Sequence, residues 1–244
     1  MKKILMLVVA LMVIPVSAHA QRHDILGTEI GWNADLDILS DIEVSGFRVR
    51  HVSDPQKKVF GTSCTGDTYY EWIEMDGPIN PDAPFIIERL IDRIKQNPNR
   101  CKNSSGGHVA ITVNLNSGGG YMKDGFALAE IFRREQVQTD INDECYSSCA
   151  AAFMGGLHRT MFGGGENSDS AKIMFHAPFR YLNRYDISCS TRRETRDLQS
   201  FFVSVLGEAD GEFLYERTMS YCSNQTGWTL NADAAEIFGI TTSN

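Results

Sequence analysis

Apolar and polar positions along the chain predict strands and helices that follow one another in turn. Short strands are predicted where apolar or β-branched residues cluster, at 47–52, 69–75, 109–113, 137–141 and 172–175. Helices are predicted where apolar residues recur at helical spacing or small residues cluster, at 83–96, 122–134, 147–155 and 191–220. Asp82 is the predicted N-cap of the first of these helices. Strands that alternate with helices predict an α/β fold with a parallel sheet, and no repeat or linker divides it into domains.

The first twenty residues have the pattern of a secretory signal peptide. Lys2 and Lys3 precede an apolar run over 4–14, and residues 18–20 read Ala-His-Ala, a small-x-small cleavage pattern. The apolar run is short for a bilayer span, so we favour a cleaved signal over an uncleaved anchor. The chain is therefore expected to be periplasmic or secreted, with no membrane span after cleavage.

Charge restricts the class of partner. The 244 residues carry 23 Lys and Arg against 31 Asp and Glu, which gives a net charge of −8. Nucleic acids and anionic membrane surfaces attract basic proteins, so we expect no nucleic-acid partner. The length is sufficient for one full hydrophobic core.

Six cysteines in an exported chain indicate disulfide bonds. Their order and local spacing favour the pairs Cys64–Cys101, Cys145–Cys149 and Cys189–Cys222. Zinc is the alternative for the Cys-x-x-x-Cys pair, but no histidine cluster with ligand spacing accompanies it. We therefore expect no metal and no cofactor.

Three segments contain residue types that suit acyl transfer. Residues 116–120 read Asn-Ser-Gly-Gly-Gly after a predicted strand, and such glycines let backbone N–H groups approach a ligand. Residues 145–149 read Cys-Tyr-Ser-Ser-Cys at the start of a small-residue helix, and 174–178 read Met-Phe-His-Ala-Pro after a strand. Each segment alone also fits an ordinary structural interpretation: a turn, an N-cap serine and a hydrogen-bonded histidine.

In this order, the three segments resemble the motifs of the Clp-protease-like branch of the crotonase-fold superfamily. In that family a glycine turn supplies an oxyanion donor, a serine that begins a small-residue helix is the nucleophile, and a Met-x-His-x-Pro histidine is the base. Residues 73–80 and 230–240 also resemble the family, so the resemblance covers about 69–242. It implies a single ClpP/crotonase-like α/β domain at 69–244, with repeated ββα units around a parallel sheet core. Residues 21–68 then form an N-terminal extension of unknown role.

The resemblance implies a role for individual residues. The family's nucleophile lies nine residues before a helix-closing glycine, and counting back from Gly156 favours Ser147 over the alternative, Ser148. His176 corresponds to the base. Gly119 and the backbone N–H of Ser148 correspond to the oxyanion donors. The Cys-x-Ser-x-Cys pattern resembles exported relatives of the family.

The third member of the triad is where the resemblance fails. Counting back from Gly239 places the family's acid near Gly227, where the neighbouring residues are uncharged. Asn224 could orient the histidine as an amide does in papain-like sites, and a Ser–His dyad or a different acid are equally open.

The resemblance implies an exported serine hydrolase of the peptidase type, acting on a peptide or protein. It also implies a homo-oligomer, because relatives assemble into rings. The alternative is a non-catalytic binding or scaffold protein that retains the fold, which the missing acid favours. An acyl-CoA enzyme of the wider superfamily fits poorly with export and with the Ser/His pair.

Overall fold

A computed structural model of the chain describes residues 37–54, 62–63, 70–103, 106–162, 171–184, 186–223 and 226–242. The strands in these ranges are β1 (Asp37–Val44), β2 (Phe47–Asp54), β3 (Thr62–Ser63), β4 (Tyr70–Asp76), β5 (Lys102–Asn103), β6 (Thr112–Ser117), β7 (Gln138–Tyr146), β8 (Arg159–Met161), β9 (Lys172–Phe175), β10 (Phe179–Tyr181), β11 (Ile187–Cys189) and β12 (Trp228–Asn231). The helices are α1 (Ala83–Gln96), α2 (Met122–Glu135), α3 (Ser148–Met154), α4 (Arg196–Leu206), α5 (Glu208–Met219) and α6 (Ala232–Ile237). None of these helices has both the length and the apolar content needed to cross a membrane. The predicted signal peptide lies outside the described residues.

The main sheet has eight strands in the order β1-β2-β4-β6-β7-β9-β12, with β8 paired to β7. Strands β4, β6, β7 and β9 pair in parallel and form its centre. The remaining neighbours in this order are antiparallel. The parallel core predicted from the alternation of strands and helices is therefore present. Residues 37–54 form β1 and β2 of this same sheet, while the role of the segment 21–68 stays a prediction.

Helix α1 has the predicted bounds but a different cap. Asp82 occupies the N-cap position without a side-chain capping bond. The side-chain oxygen of Asn80 accepts hydrogen bonds from the N–H groups of Asp82 and Ala83 instead, at 3.0 and 3.1 Å. An Asx turn thus satisfies the free N–H groups at the start of the helix. The apolar face of α1 is then buried against the core.

Helices α2 and α3 pack together unusually closely, and this fixes α3 in the core. A Cβ atom on Gly125 of α2 would lie 2.4 Å from the carbonyl oxygen of Ser148. Only glycine permits this approach of two backbones. All seven residues of α3 are buried. The small-residue composition of this helix therefore serves close packing.

Three elements differ from their predicted bounds by more than two residues. The strand predicted at 109–113 begins later, as β6. The strand predicted at 137–141 extends to Tyr146, because buried Ile141 and Cys145 alternate with more exposed polar residues in β7. The helix predicted over 191–220 is divided into α4 and α5 at Gly207, whose φ of 87° ends a right-handed helix.

Candidate active site

The topology of the sheet brings the three predicted segments together. Each segment follows one of three neighbouring parallel strands, β6, β7 and β9. Ser117 pairs with Cys145, and Tyr146 pairs with Met174. Because parallel strands end on the same side of a sheet, the residues after these strands lie at one edge. This is the usual place for a site in an α/β fold.

Ser147 occupies a sharp turn between β7 and α3. Its φ of 59° and ψ of −119° lie in a region that residues other than glycine rarely adopt. Such a conformation costs about 1–3 kcal/mol and persists only where the surroundings enforce it. Its N–H donates to the carbonyl oxygen of Met174 at 2.9 Å, and its own carbonyl accepts from Ala151 at 3.3 Å. Nucleophilic serines of other hydrolases lie on strained strand-to-helix turns of this kind.

The two adjacent serines have different environments. Ser147 is half-buried and lines a cavity together with His176. Ser148 is fully buried, and its hydroxyl has no hydrogen-bond partner among the described residues. The Cβ of Ser148 lies against α2, only 2.8 Å from where a Cβ on Gly125 would be. Of the two serines, Ser147 is the one that lines this cavity with His176.

Gly119 brings the glycine turn into contact with Ser147. A Cβ on Gly119 would lie 2.6 Å from the carbonyl oxygen of Tyr146 and 2.8 Å from the Cβ of Ser147. The φ of Gly119 is also positive, at 98°. Its N–H donates to the hydroxyl of Ser117 at 3.0 Å. The predicted oxyanion donor is therefore adjacent to Ser147. Its N–H is already hydrogen-bonded to the side chain of Ser117.

His176 is held by its own backbone neighbour. The ring is 4% exposed, and its Nδ1 lies 2.9 Å from the carbonyl oxygen of Ala177. Because a carbonyl can only accept, Nδ1 carries the hydrogen, and Nε2 of the neutral ring is left to accept a proton. No hydrogen bond joins His176 to Ser147 in the described residues. Catalytic hydrogen bonds are often long or misaligned before substrate binds.

The group that orients the histidine was not predicted from the sequence. Asn224, one of the predicted alternatives, lies outside the described residues. Among the described residues, the Ala177 carbonyl is the partner of Nδ1, and the N–H of Ala177 is itself bonded to the carbonyl of Tyr221 at 2.9 Å. The role of Asn224 stays a prediction. Every residue carries a carbonyl, so the side-chain pattern contains no signal for this role.

A small cavity lies beside Ser147 and His176. Its volume is about 10 Å³, which is room for one water molecule. It is lined by Met122, Ser147, Ala151, Phe175, His176, Leu198, Phe202 and Thr218. The sequence did not predict the lining residues from α4 and α5, which are Leu198, Phe202 and Thr218. The signal that could have found them is the apolar face of the region 191–220.

Two acidic residues lie near the side chain of Tyr146, the residue before Ser147. Partial burial and the neighbouring carboxylates of Glu144 and Asp143 raise the pKa of Tyr146. The Tyr146 side chain is also hydrogen-bonded to Glu144.

Two disulfide bonds are present among the described residues. They join Cys145 to Cys149 and Cys189 to Cys222, with Cα atoms 5.1 and 5.8 Å apart. Both pairs are those favoured from the sequence. Cys101 is also disulfide-bonded, while its predicted partner Cys64 lies outside the described residues. Disulfides are typical of proteins in oxidising compartments.

Comparison with known proteins yields a likeness of fold. A membrane-bound stomatin-specific protease, 1510-N, solved as a point mutant, matches with a TM-score of 0.51 and 14% identity over 69% of this chain and 75% of that chain. A point mutant of ClpP1 from Listeria monocytogenes matches with a TM-score of 0.46 and 14% identity, over 69% of this chain and 86% of that chain. No family model and no curated protein sequence matches the chain. The chain therefore shares the α/β fold of the stomatin-specific protease, and its chemistry has to be argued from its own residues.

Proposed function

We propose that this chain is an exported serine hydrolase of the peptidase type, with Ser147 as nucleophile and His176 as base. The observation that carries the proposal is the strained conformation of Ser147 at the end of β7, beside a histidine at the end of β9. Strain of this kind is concentrated at functional sites, where the surrounding structure maintains it. The two disulfides support the exported, oxidising location.

The proposed reaction is acyl transfer in two steps. Nε2 of His176 takes the proton of the Ser147 hydroxyl as its oxygen attacks the scissile carbonyl carbon. The imidazolium then gives that proton to the departing amine, which leaves an ester between Ser147 and the acyl half of the substrate. A water molecule, deprotonated by the same histidine, hydrolyses the ester and restores the serine.

The oxyanion of the tetrahedral intermediate requires backbone donors. The N–H of Ser148 has no intrahelical partner, because it lies in the first turn of α3. The N–H of Gly119 becomes the second donor when the Ser117 hydroxyl, its present acceptor, rotates away. Each donor contributes about 3 kcal/mol of transition-state stabilisation in related chemistry.

The second candidate is a binding protein without catalytic activity. Two observations favour it: Ser147 and His176 are not hydrogen-bonded, and the cavity between them holds only about 10 Å³. A substrate side chain needs more space than one water molecule, so a peptidase must open the walls formed by α4 and α5. A binding protein would need no such opening. Assembly into a homo-oligomer rests on the sequence resemblance and is part of the proposal.

A fluorophosphonate probe, which reacts with activated serines, tests the proposal. We expect one adduct on Ser147 in the folded, oxidised chain, none in Ser147→Ala, and labelling about 100-fold slower or less in His176→Ala. Ser148→Ala is the matched control, because it removes a hydroxyl that makes no hydrogen bond and keeps the backbone donor. Its rate is expected within about threefold of the wild type.

The peptidase proposal also predicts that the chain cleaves peptides. A mixture of peptides incubated with the wild-type chain and analysed by mass spectrometry should show cleavage that Ser147→Ala abolishes. An adduct on Ser148, or a folded oxidised chain without any adduct, would instead favour the binding protein.

A further inference from the structure

We propose that the Cys145–Cys149 disulfide positions the nucleophile, so that Ser147 becomes reactive only after the chain has been oxidised. The inference rests on the proposed function of Ser147. It assigns to the two cysteines a role in the site itself, in addition to any contribution to the stability of the fold.

The bond spans the bend that contains Ser147. Cys145 belongs to β7 and Cys149 to α3, and their Cα atoms are 5.1 Å apart over a sequence separation of 4. A strand that continued straight over four residues would separate these atoms by about 13 Å. The disulfide is therefore incompatible with an extended segment and fixes the chain reversal at this point.

The conformation of Ser147 needs such a constraint. Its φ of 59° and ψ of −119° are unfavourable for serine, and a free chain would relax to an ordinary region of the Ramachandran map. Among the described residues, its backbone donates one hydrogen bond to Met174 and accepts one from Ala151. Helix α3, with seven residues, is too short to maintain the turn by helix propensity alone. The disulfide adds a covalent constraint, because it joins the residues two positions before and two positions after Ser147.

A disulfide whose only role was to stabilise the fold would be expected to close a longer loop. In the chain-entropy model, the stabilisation by a disulfide increases with the length of the loop that it closes. The Cys145–Cys149 loop has a separation of only 4, whereas Cys189–Cys222 has a separation of 33. The Cys145–Cys149 disulfide is therefore expected to contribute less stability than Cys189–Cys222, although its loop contains the candidate nucleophile.

Oxidation would occur once, during folding. The two thiols exchange with a disulfide-bearing oxidant: one S–S bond forms in the chain, and the oxidant is reduced to two thiols by the two electrons and two protons released. Both cysteines have no exposed surface in the folded chain, so reductants cannot reach the finished bond. A chain that folds in a reducing compartment would keep free thiols and an unstrained, poorly reactive Ser147.

The main test compares labelling rates of folded proteins. In Cys145→Ala/Cys149→Ala, we expect fluorophosphonate labelling of Ser147 to be about 10- to 100-fold slower than in the wild type, because the serine moves away from the base. Ile94→Ala, a substitution in the buried face of α1 at a residue that does not line the cavity at Ser147, is the control for lost stability. It is expected to lower the melting temperature at least as much and to label within about threefold of the wild type.

The coupling to the base distinguishes positioning from simple destabilisation. His176→Ala should lower the labelling rate in the wild type but change it little in the cysteine-free variant, whose serine is no longer held near the base. Wild-type chain that has been reduced, unfolded and refolded with glutathione disulfide should regain the full rate. The same chain refolded in excess thiol should not.

A second measurement tests the strain without using reactivity. Glycine adopts the conformation of Ser147 without strain and alanine does not, so Ser147→Gly should melt at a higher temperature than Ser147→Ala. In the cysteine-free background this difference should disappear, since the turn is already relaxed. An equal difference in both backgrounds would overturn the inference.

The remaining outcomes separate the two proposals. If the wild type labels at Ser147 and the cysteine-free variant labels equally fast, the positioning role is wrong and the hydrolase stands. A cysteine-free variant that does not fold assigns the bond to the fold alone and also overturns the inference. If the oxidised wild type carries no adduct, both proposals fall together.

Discussion

Replacing Gly119 by alanine adds one methyl group at the closest contact of the candidate site. The new Cβ would lie 2.6 Å from the carbonyl oxygen of Tyr146 and 2.8 Å from the Cβ of Ser147. Both distances are too short for real Cβ atoms, and one of the opposing atoms is backbone, which cannot rotate away. The neighbouring Gly118 is the matched control, because a Cβ there meets no described atom within 4 Å.

Two effects set the size of the loss in Gly119→Ala. The φ of 98° costs alanine about 1–2 kcal/mol relative to glycine. The overlap with Tyr146 and Ser147 costs a further 1–3 kcal/mol, roughly, as overpacking does elsewhere. Together they lower the free energy of unfolding by about 2–5 kcal/mol, and therefore the melting temperature by roughly 5–15 °C. Gly118→Ala should change the free energy of unfolding by about 0.5 kcal/mol or less.

The same substitution should also reduce reactivity. A displacement of the Ser147 side chain by even a fraction of an ångström lowers the rate of a positioned reaction, so we expect labelling about 100-fold slower. Thermal unfolding followed by circular dichroism and the second-order rate of fluorophosphonate labelling measure the two effects. If Gly119→Ala melts and labels like Gly118→Ala, the glycine turn is not in contact with the nucleophile, and the geometry described above is wrong.

Three further substitutions test other parts of the structure. Arg159→Gln should lower the free energy of unfolding by about 2–4 kcal/mol in thermal denaturation, because three carbonyl oxygens, two of them in buried bonds, lose a charged donor. An unchanged melting temperature would contradict those bonds. Cys189→Ala/Cys222→Ala should lower it by about 3–4 kcal/mol, since the bond closes a long loop, and a loss below that of the shorter disulfide would contradict the loop argument. Hydrogen bonds from Lys95 and then from a neighbouring arginine lower the pKa of Glu135 below 4.5. The stability that Glu135→Gln removes, about 0.5–1 kcal/mol at pH 7, is therefore present above pH 4.5 and lost as the pH falls through the lower folded value. Chemical denaturation of both proteins at pH 7 and pH 3 measures this difference, and a gap that is no smaller at pH 3 than at pH 7 would refute the sign.

The adjacency of the three segments could be predicted from the sequence, because it follows from topology. Residues that follow parallel neighbouring strands meet at one edge of the sheet, whatever the side chains in between. The strand before His176 was predicted with its observed bounds, Lys172–Phe175. The glycines at 118–120 indicated a turn with close backbone approach, and Gly119 makes that approach.

The finer geometry of the site was not predictable from residue types. A serine gives no sign that its φ will be positive, because the conformation of Ser147 depends on its connections to other elements, such as its bond to Met174 of β9. The histidine is oriented by the carbonyl of Ala177, a group common to all residues. The Ser117 hydroxyl that occupies the N–H of Gly119 depends on a side-chain rotamer, which only the structure provides.

The most direct test of the account is a crystal structure of the oxidised chain after reaction with a fluorophosphonate. We predict phosphorus bonded to the oxygen of Ser147 and a phosphonyl oxygen about 2.7–3.1 Å from the N–H of Ser148. The Ser117 hydroxyl should have left the N–H of Gly119 free to bind the same oxygen, while His176 keeps its bond to the Ala177 carbonyl. An adduct on another residue, or a phosphonyl oxygen directed away from the Ser148 N–H, would contradict the proposed site.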